Sequence, residues 1–123
     1  MAELPGGPFT MGSNDYADEK PVHSVNVAPF CLDQSEVTAA AYAACVGKGL
    51  CKAAEAKSAA CNAARGDRQD HPMNCVDAWT AQEFCVWDGG RLPTEAEWAY
   101  AAVGRAVDGL TPGRVFPWGN APP

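Results

Sequence analysis

Six cysteines, at positions 31, 45, 51, 61, 75 and 85, carry most of the chemistry this chain could offer. An even number in a modest domain points to disulfides and an oxidising compartment. Buried free thiols are a second reading, because Cys also packs well as a small core residue. Zinc is a third, but no C-x-x-C pair occurs and His71-x-x-x-Cys75 stands without a second paired element. Cys45, Cys51, Cys61 and Cys75 flank one irregular segment and are the group expected to pair. Glu95 and Glu97 invite comparison with acid/base carboxylates. Two residues apart in a helix's first turn, they point in different directions and favour its positive end, a structural duty. Asp15, Asp18 and Glu19 lack the spaced oxygens and central Gly of an EF-hand and read as a solvated acidic loop. Arg91 is expected to hold a loop or a carboxylate. Trp79, Trp87, Trp98 and Trp118 read as core anchors rather than an aromatic box. No catalytic, cofactor-binding or metal-ligating residue follows from these groups.

The elements that position them are short. Leu4 to Ser13 reads as a turn, a strand over Phe9 to Met11 and a second turn. Val22-His23-Ser24-Val25-Asn26-Val27 alternates apolar and polar residues, the pattern of a half-buried strand ended by Pro29, with His23 on its polar face. Phe30 to Asp33 continues extended. Thr38 caps a helix from Ala39 to about Val46, which Gly47 and Gly49 end. Lys48 to Gln69 shows no clear period and is expected to be a long loop held by disulfides, although Ala53 to Ala60 has the propensity for a turn or two of helix. Pro72 forces His71 out of the helical region. Asp77 caps a helix from Ala78 to Trp87 with an inner stripe of Ala78, Ala81, Phe84 and Cys85, stopped at Gly89-Gly90. Thr94 and Glu97 form a capping box for a helix running to Val103. A loop follows, then the aromatic turn Phe116-Pro117-Trp118-Gly119-Asn120.

Apolar residues make up 47% and charged residues 20%, the balance of a chain that folds. A net charge of −6 without a Lys/Arg cluster excludes nucleic acid as an expected partner. The apolar stretches fall short of the ~20 residues that cross a bilayer, so no membrane span is expected. Met1 to Pro5 lacks a signal peptide's basic start and apolar core. Cysteine usage nevertheless favours export, to an extracellular or periplasmic location, with any leader outside this sequence.

The order of motifs is more specific than any single residue. Pro5-Gly6-Gly7, Phe9-Thr10-Met11-Gly12-Ser13, Glu19-Lys20-Pro21-Val22-His23, Val25-x-Val27 and Asp33-x-x-Glu36-Val37-Thr38 come first. His71-Pro72, Val76, Trp79, Ala81 and Cys85-x-Trp87 follow. Arg91-Leu92-Pro93-Thr94-Glu95-Ala96-Glu97-Trp98-x-Tyr100-Ala101-Ala102 and Pro117-Trp118-Gly119-Asn120 close the series. Taken together they resemble the formylglycine-generating enzyme, or sulfatase-modifying factor, family over nearly the whole chain. The Cys45, Cys51 and Cys61 region is richer in cysteine than the simplest family pattern, and Cys75 sits where other residues are common.

The resemblance implies an irregular, loop-rich α+β fold of the C-type-lectin-like kind. It also implies that residues 1–123 form the N-terminal part of a single domain, because the family's active cysteines and calcium ligands follow the Pro-Trp-Gly-Asn motif. Catalytic, cofactor-binding and metal residues are therefore none in this chain. Copper, with structural calcium, is implied for a full-length member. A full-length parent is expected to oxidise a cysteine of a sulfatase-like protein substrate to formylglycine, using oxygen and copper, while these residues alone are inactive. The alternative is a non-catalytic, lectin-like binding or scaffold domain of the same fold. Family likeness also implies that Cys85 matches a cysteine able to pair in the absent half. The core faces of Trp98, Phe116 and Trp118 are expected to lose part of their cover.

Overall fold

A computed structural model describes residues 1–55, 58–103 and 117–122. They form a small α+β structure of short sheets and helices, divided into two compact units. One comprises residues 1–33 together with the chain from Pro93 onward, and the other comprises residues 34–92.

In the first unit, strand β1 (Ala2–Leu4) pairs antiparallel with β4 (Phe30–Leu32), and β2 (Gly7–Met11) pairs antiparallel with β3 (His23–Val27). Phe9 lies opposite Val25 and Gly7 opposite Val27, so the apolar residues of the two strands share a face. His23 corrects the sequence reading: two residues from Val25 and opposite Met11, it lies on that same face rather than on the polar one, exposed at the end of the strand. Strand β1 had no sequence signal, because three residues are too few to display a period of two. Gly6 links β1 to β2 at φ 66°, and a Cβ there would sit 2.3 Å from the carbonyl oxygen of Val27, so only Gly fits.

Helix α3 (Glu95–Val103) packs on β2 and β3. The capping box forms as read: the Glu97 amide donates to Thr94 Oγ1 at 3.2 Å, and the Thr94 amide donates to Glu97 Oε2 at 2.8 Å. Tyr100 closes this core. Its ring stands edge-on to Phe9 and Phe30, at centroid separations of 5.5 and 6.1 Å, and its hydroxyl donates to the Gly6 carbonyl at 2.9 Å.

The second unit holds α1 (Ala39–Gly47) and α2 (Ala78–Trp87). Both expected N-caps are present: Thr38 Oγ1 accepts from the Ala41 amide, and the Asp77 carboxylate accepts from the Thr80 amide. Tyr42, Cys45, Cys51 and Phe84 form the buried core, with Trp87 and Met73 packed against them. Ala78 lies exposed, so the inner stripe of α2 runs through Ala81, Phe84, Cys85 and Trp87 instead.

The connection from α1 to α2 is a loop pinned by disulfides, as read. The helical propensity of Ala53 to Ala60 is not realised in its described residues, which form coil and a turn, and a 3-10 turn appears farther on at Gly66–Arg68. A helix so short must meet a nucleation cost that few hydrogen bonds offset.

The tryptophans correct the sequence reading. Trp87 is half-buried, but Trp79 is 83% exposed, and Trp98 and Trp118 are each 64% exposed. Helical position accounts for two of them: Trp79 and Trp98 lie on helix faces that their units do not cover. The exposure expected of Trp98 and Trp118 is present, whereas Phe116 lies outside the described residues.

Candidate functional site

Four of the six cysteines are paired. Cys45–Cys51 and Cys61–Cys75 have Cα separations of 5.3 and 5.6 Å. Cys31, exposed, and Cys85, half-buried on α2, stand outside these bonds. The first disulfide ties the last turn of α1 to the chain that leaves it. Before and after the second, the backbone is laced by amide side chains. The Asn62 amide donates to Asn74 Oδ1 at 2.8 Å, Asn62 Nδ2 to the Pro72 carbonyl at 2.8 Å, and Asn74 Nδ2 to the Ala60 carbonyl at 2.9 Å. Arg68 adds a 3.2 Å bond to Asn62 Oδ1, so the buried Asn62 is fully engaged.

The same returning segment completes the start of α1. The Ala39 and Ala40 amides, which have no partner within the helix, donate to the carbonyls of His71 and Gln69 at 3.0 and 2.9 Å. Between α1 and the loop lies an open apolar cavity of about 200 Å³, lined by Tyr42, Val46 and alanines that include Ala39, Ala54, Ala63 and Ala64. Tyr42 donates its hydroxyl to the Lys52 carbonyl at 2.7 Å, and burial, then the charges of Glu83 and Asp77, push its ionisation above the usual range.

These features were not read from the sequence. The alanine richness of residues 39–64 was visible, but which alanines face one another depends on the loop path, and the disulfides set that path.

The other chemistry-bearing groups hold backbone. Arg91 donates to the Leu92 carbonyl at 3.0 Å, and the Leu92 amide donates to Gln82 Oε1 at 3.1 Å. Glu97 is engaged in its cap, and Glu95 is exposed. His71 Nδ1 lies 3.0 Å from Asp70, whose carboxyl is lowered by that contact. Thr80 does the same for Asp77, the cap of α2. Ser13 donates to the Glu19 carboxylate within the acidic loop.

Among the described residues no group of three or more His, Cys, Asp or Glu gathers as a metal site. Copper bound through thiolates needs free sulfurs, and four of the six are bonded to each other. The described donors gather into a site for neither copper nor calcium. No helix among them is long and apolar enough to cross a membrane.

One unit sets a capped helix on antiparallel strands and the other is a disulfide-stapled pair of helices, and in both the conspicuous motifs position backbone. The model of the sulfatase-modifying factor enzyme 1-like domain matches residues 1–123, and the chain belongs to that family. It is 34% identical to the formylglycine-generating enzyme of Streptomyces coelicolor, over 98% of this chain and 50% of that protein. It is 28% identical to the hercynine oxygenase of Mycolicibacterium smegmatis, over 98% of this chain and 35% of the relative. A 54-residue stretch is 55% identical to the inactive C-alpha-formylglycine-generating enzyme 2 of Mus musculus, covering 44% of this chain and 16% of the relative. The chain spans about half the length of the Streptomyces enzyme or less in each case.

Proposed function

We propose that residues 1–123 are the N-terminal scaffold of a single formylglycine-generating-enzyme-type domain with a C-type-lectin-like fold, in an exported protein that acts outside the cytoplasm. In this reading the complete protein oxidises a cysteine of a sulfatase-like substrate to formylglycine, using oxygen and copper with structural calcium, and these residues alone are inactive. Similarity to formylglycine-generating enzymes along 98% of the chain carries the proposal. Two disulfides support the extracellular or periplasmic location.

The site supports a scaffolding role for this segment. Its carboxylates cap helices, Arg91 holds a loop carbonyl, and its paired sulfurs cannot bind copper as thiolates. A second reading, a non-catalytic binding domain, is favoured by the 55% identity to a relative named inactive. Copper-loaded complete protein, mixed with a sulfatase-derived cysteine peptide in oxygenated buffer, separates the two. The expected result is loss of the thiol and gain of an aldehyde that reacts with a hydrazine probe. An unchanged peptide would favour the binding domain, and turnover by residues 1–123 alone would overturn the scaffold reading.

A further inference from the structure

We propose that Cys75 is a site of thiol exchange, at which small monothiols open the Cys61–Cys75 bond while leaving Cys45–Cys51 closed. Three observations place the reaction there. Cys75 is exposed, whereas Cys45, Cys51 and Cys61 are all buried, so an entering thiolate meets the Cys75 sulfur first. Cys75 also adopts φ 60°, the one left-handed non-Gly residue among those described, a conformation that a Cβ disfavours. It is held there from two sides. The disulfide fixes its side chain, and Asn74, bonded to both Ala60 and Asn62, fixes the preceding residue. Cutting the covalent side lets the backbone relax, which favours reduction at this bond.

The third observation concerns the leaving group. Ser58 Oγ lies 3.7 Å from Cys61 Sγ, and because a disulfide sulfur bears no proton, the hydroxyl is the donor. It is aimed at the sulfur that becomes a thiolate when Cys75 is attacked. A better-stabilised leaving thiolate departs faster.

The bond opens in two successive exchanges. A monothiolate such as that of glutathione attacks Cys75 Sγ, forming a mixed disulfide as the Cys61–Cys75 bond breaks, and Cys61 leaves as a thiolate that takes a proton from water. A second monothiolate attacks the external sulfur of the mixed disulfide. It releases Cys75 as a thiolate, which is then protonated, together with the oxidised dimer of the monothiol. Two thiols have supplied the two electrons.

Opening this bond removes the covalent tie across the Asn62–Asn74 lacing. The loosened segment carries Ala63 and Ala64 in the cavity wall, and His71 and Gln69, whose carbonyls complete α1. The redox state of one bond thereby sets how firmly the cavity is walled.

The intact oxidised protein is exposed to a graded series of reduced glutathione, quenched with an alkylating reagent and mapped by peptide mass. Cys61 and Cys75 are expected to become alkylated roughly tenfold faster than Cys45 and Cys51. Simultaneous opening, or Cys45–Cys51 opening first, would overturn the proposal. At limiting glutathione the adduct is expected on Cys75, and an adduct on Cys61 would reverse the direction of attack and overturn it. Ser58→Ala should slow opening of Cys61–Cys75 without changing Cys45–Cys51. An unchanged rate in that variant would remove the hydroxyl from the leaving step.

Discussion

Residues 34–92 and the unit built from residues 1–33 with the chain beyond Pro93 hold their shapes by different means. The first has two helices, a long irregular connection and both disulfides. The second contains a single cysteine, Cys31, so it can form no disulfide of its own. Strand pairing does the equivalent work there: β1 with β4 and β2 with β3 supply paired backbone groups at both ends of residues 2–32, and α3 packs on β2 and β3. An irregular connection has no such ladder. Its polar backbone is met by amide side chains, and its conformational freedom is reduced by covalent links. Both disulfides thus fall in the unit whose long connection lacks hydrogen-bond periodicity, one of them anchored in α1 through Cys45.

The sharpest way to break this comparison is to remove the residue that closes the strand-paired unit. Tyr100→Ala deletes the ring shared by Phe9 and Phe30 and should cost about 3–5 kcal/mol in the intact protein, on the scale of other large aromatic truncations. Hydrogen exchange should show protection lost in β1 to β4 and α3. Equal loss across α1 and α2 would mean that the two cores do not behave as separate units.

Next in size is the covalent link. Replacing Cys45 and Cys51 together by Ala should cost about 2–4 kcal/mol, because the closed loop is released and two buried sulfurs are lost from the core. Denaturant unfolding measures the total, and exchange should place the loss within residues 39–87. Full protection of α1 in that variant would show that packing of Tyr42 on Phe84 suffices without the bond.

Smaller again is the cap of α3. Thr94→Ala removes the acceptor of the Glu97 amide and should cost about 1 kcal/mol, with fraying confined to the first turn. A loss of catalytic activity in the complete protein without any loss of stability would instead assign this motif a chemical role.

Sequence legibility followed the same division. Caps at Thr38, Asp77 and Thr94 were readable because each depends on atoms within three residues, and all three are present. Strand β3 was readable because Ser24 to Val27 alternate, although His23 was assigned to the wrong face. The Asn62–Asn74 lacing was not, since its bonds join residues 10 to 14 positions apart along a path without period, and the cavity joins residues as distant as Ala39 and Ala64. The tryptophans misled for another reason. Hydrophobic mass predicts burial only when the residue lies on a covered face, and Trp79 and Trp98 do not. For the candidate site, the group of paired cysteines was legible from its flanking of one segment, but the division into Cys45–Cys51 and Cys61–Cys75 required the loop's course.

The smallest expected effect tests whether charge also distinguishes the units. Asp67 accepts two hydrogen bonds from the Arg65 guanidinium, at 3.1 and 2.9 Å, and its carboxyl is lowered from 3.8 to about 2, first by that hydrogen bond. Asp70 and Asp77, also within residues 34–92, are lowered by His71 and Thr80. A carboxyl whose folded value is depressed contributes stability that is fully present above its unfolded value, here 3.8, and lost as pH falls through its folded value, here about 2. Acid between those limits should therefore weaken residues 34–92. Because the Asp67 side chain is exposed, the effect should be small and should fade as salt is raised. Carboxyl titration by NMR should place Asp67 near 2, and Arg65→Gln should return it toward 3.8 while leaving Asp77 unchanged. If Asp67 titrates at its ordinary value with Arg65 in place, the pair is not formed in solution and the loop is held by its amides and disulfide alone.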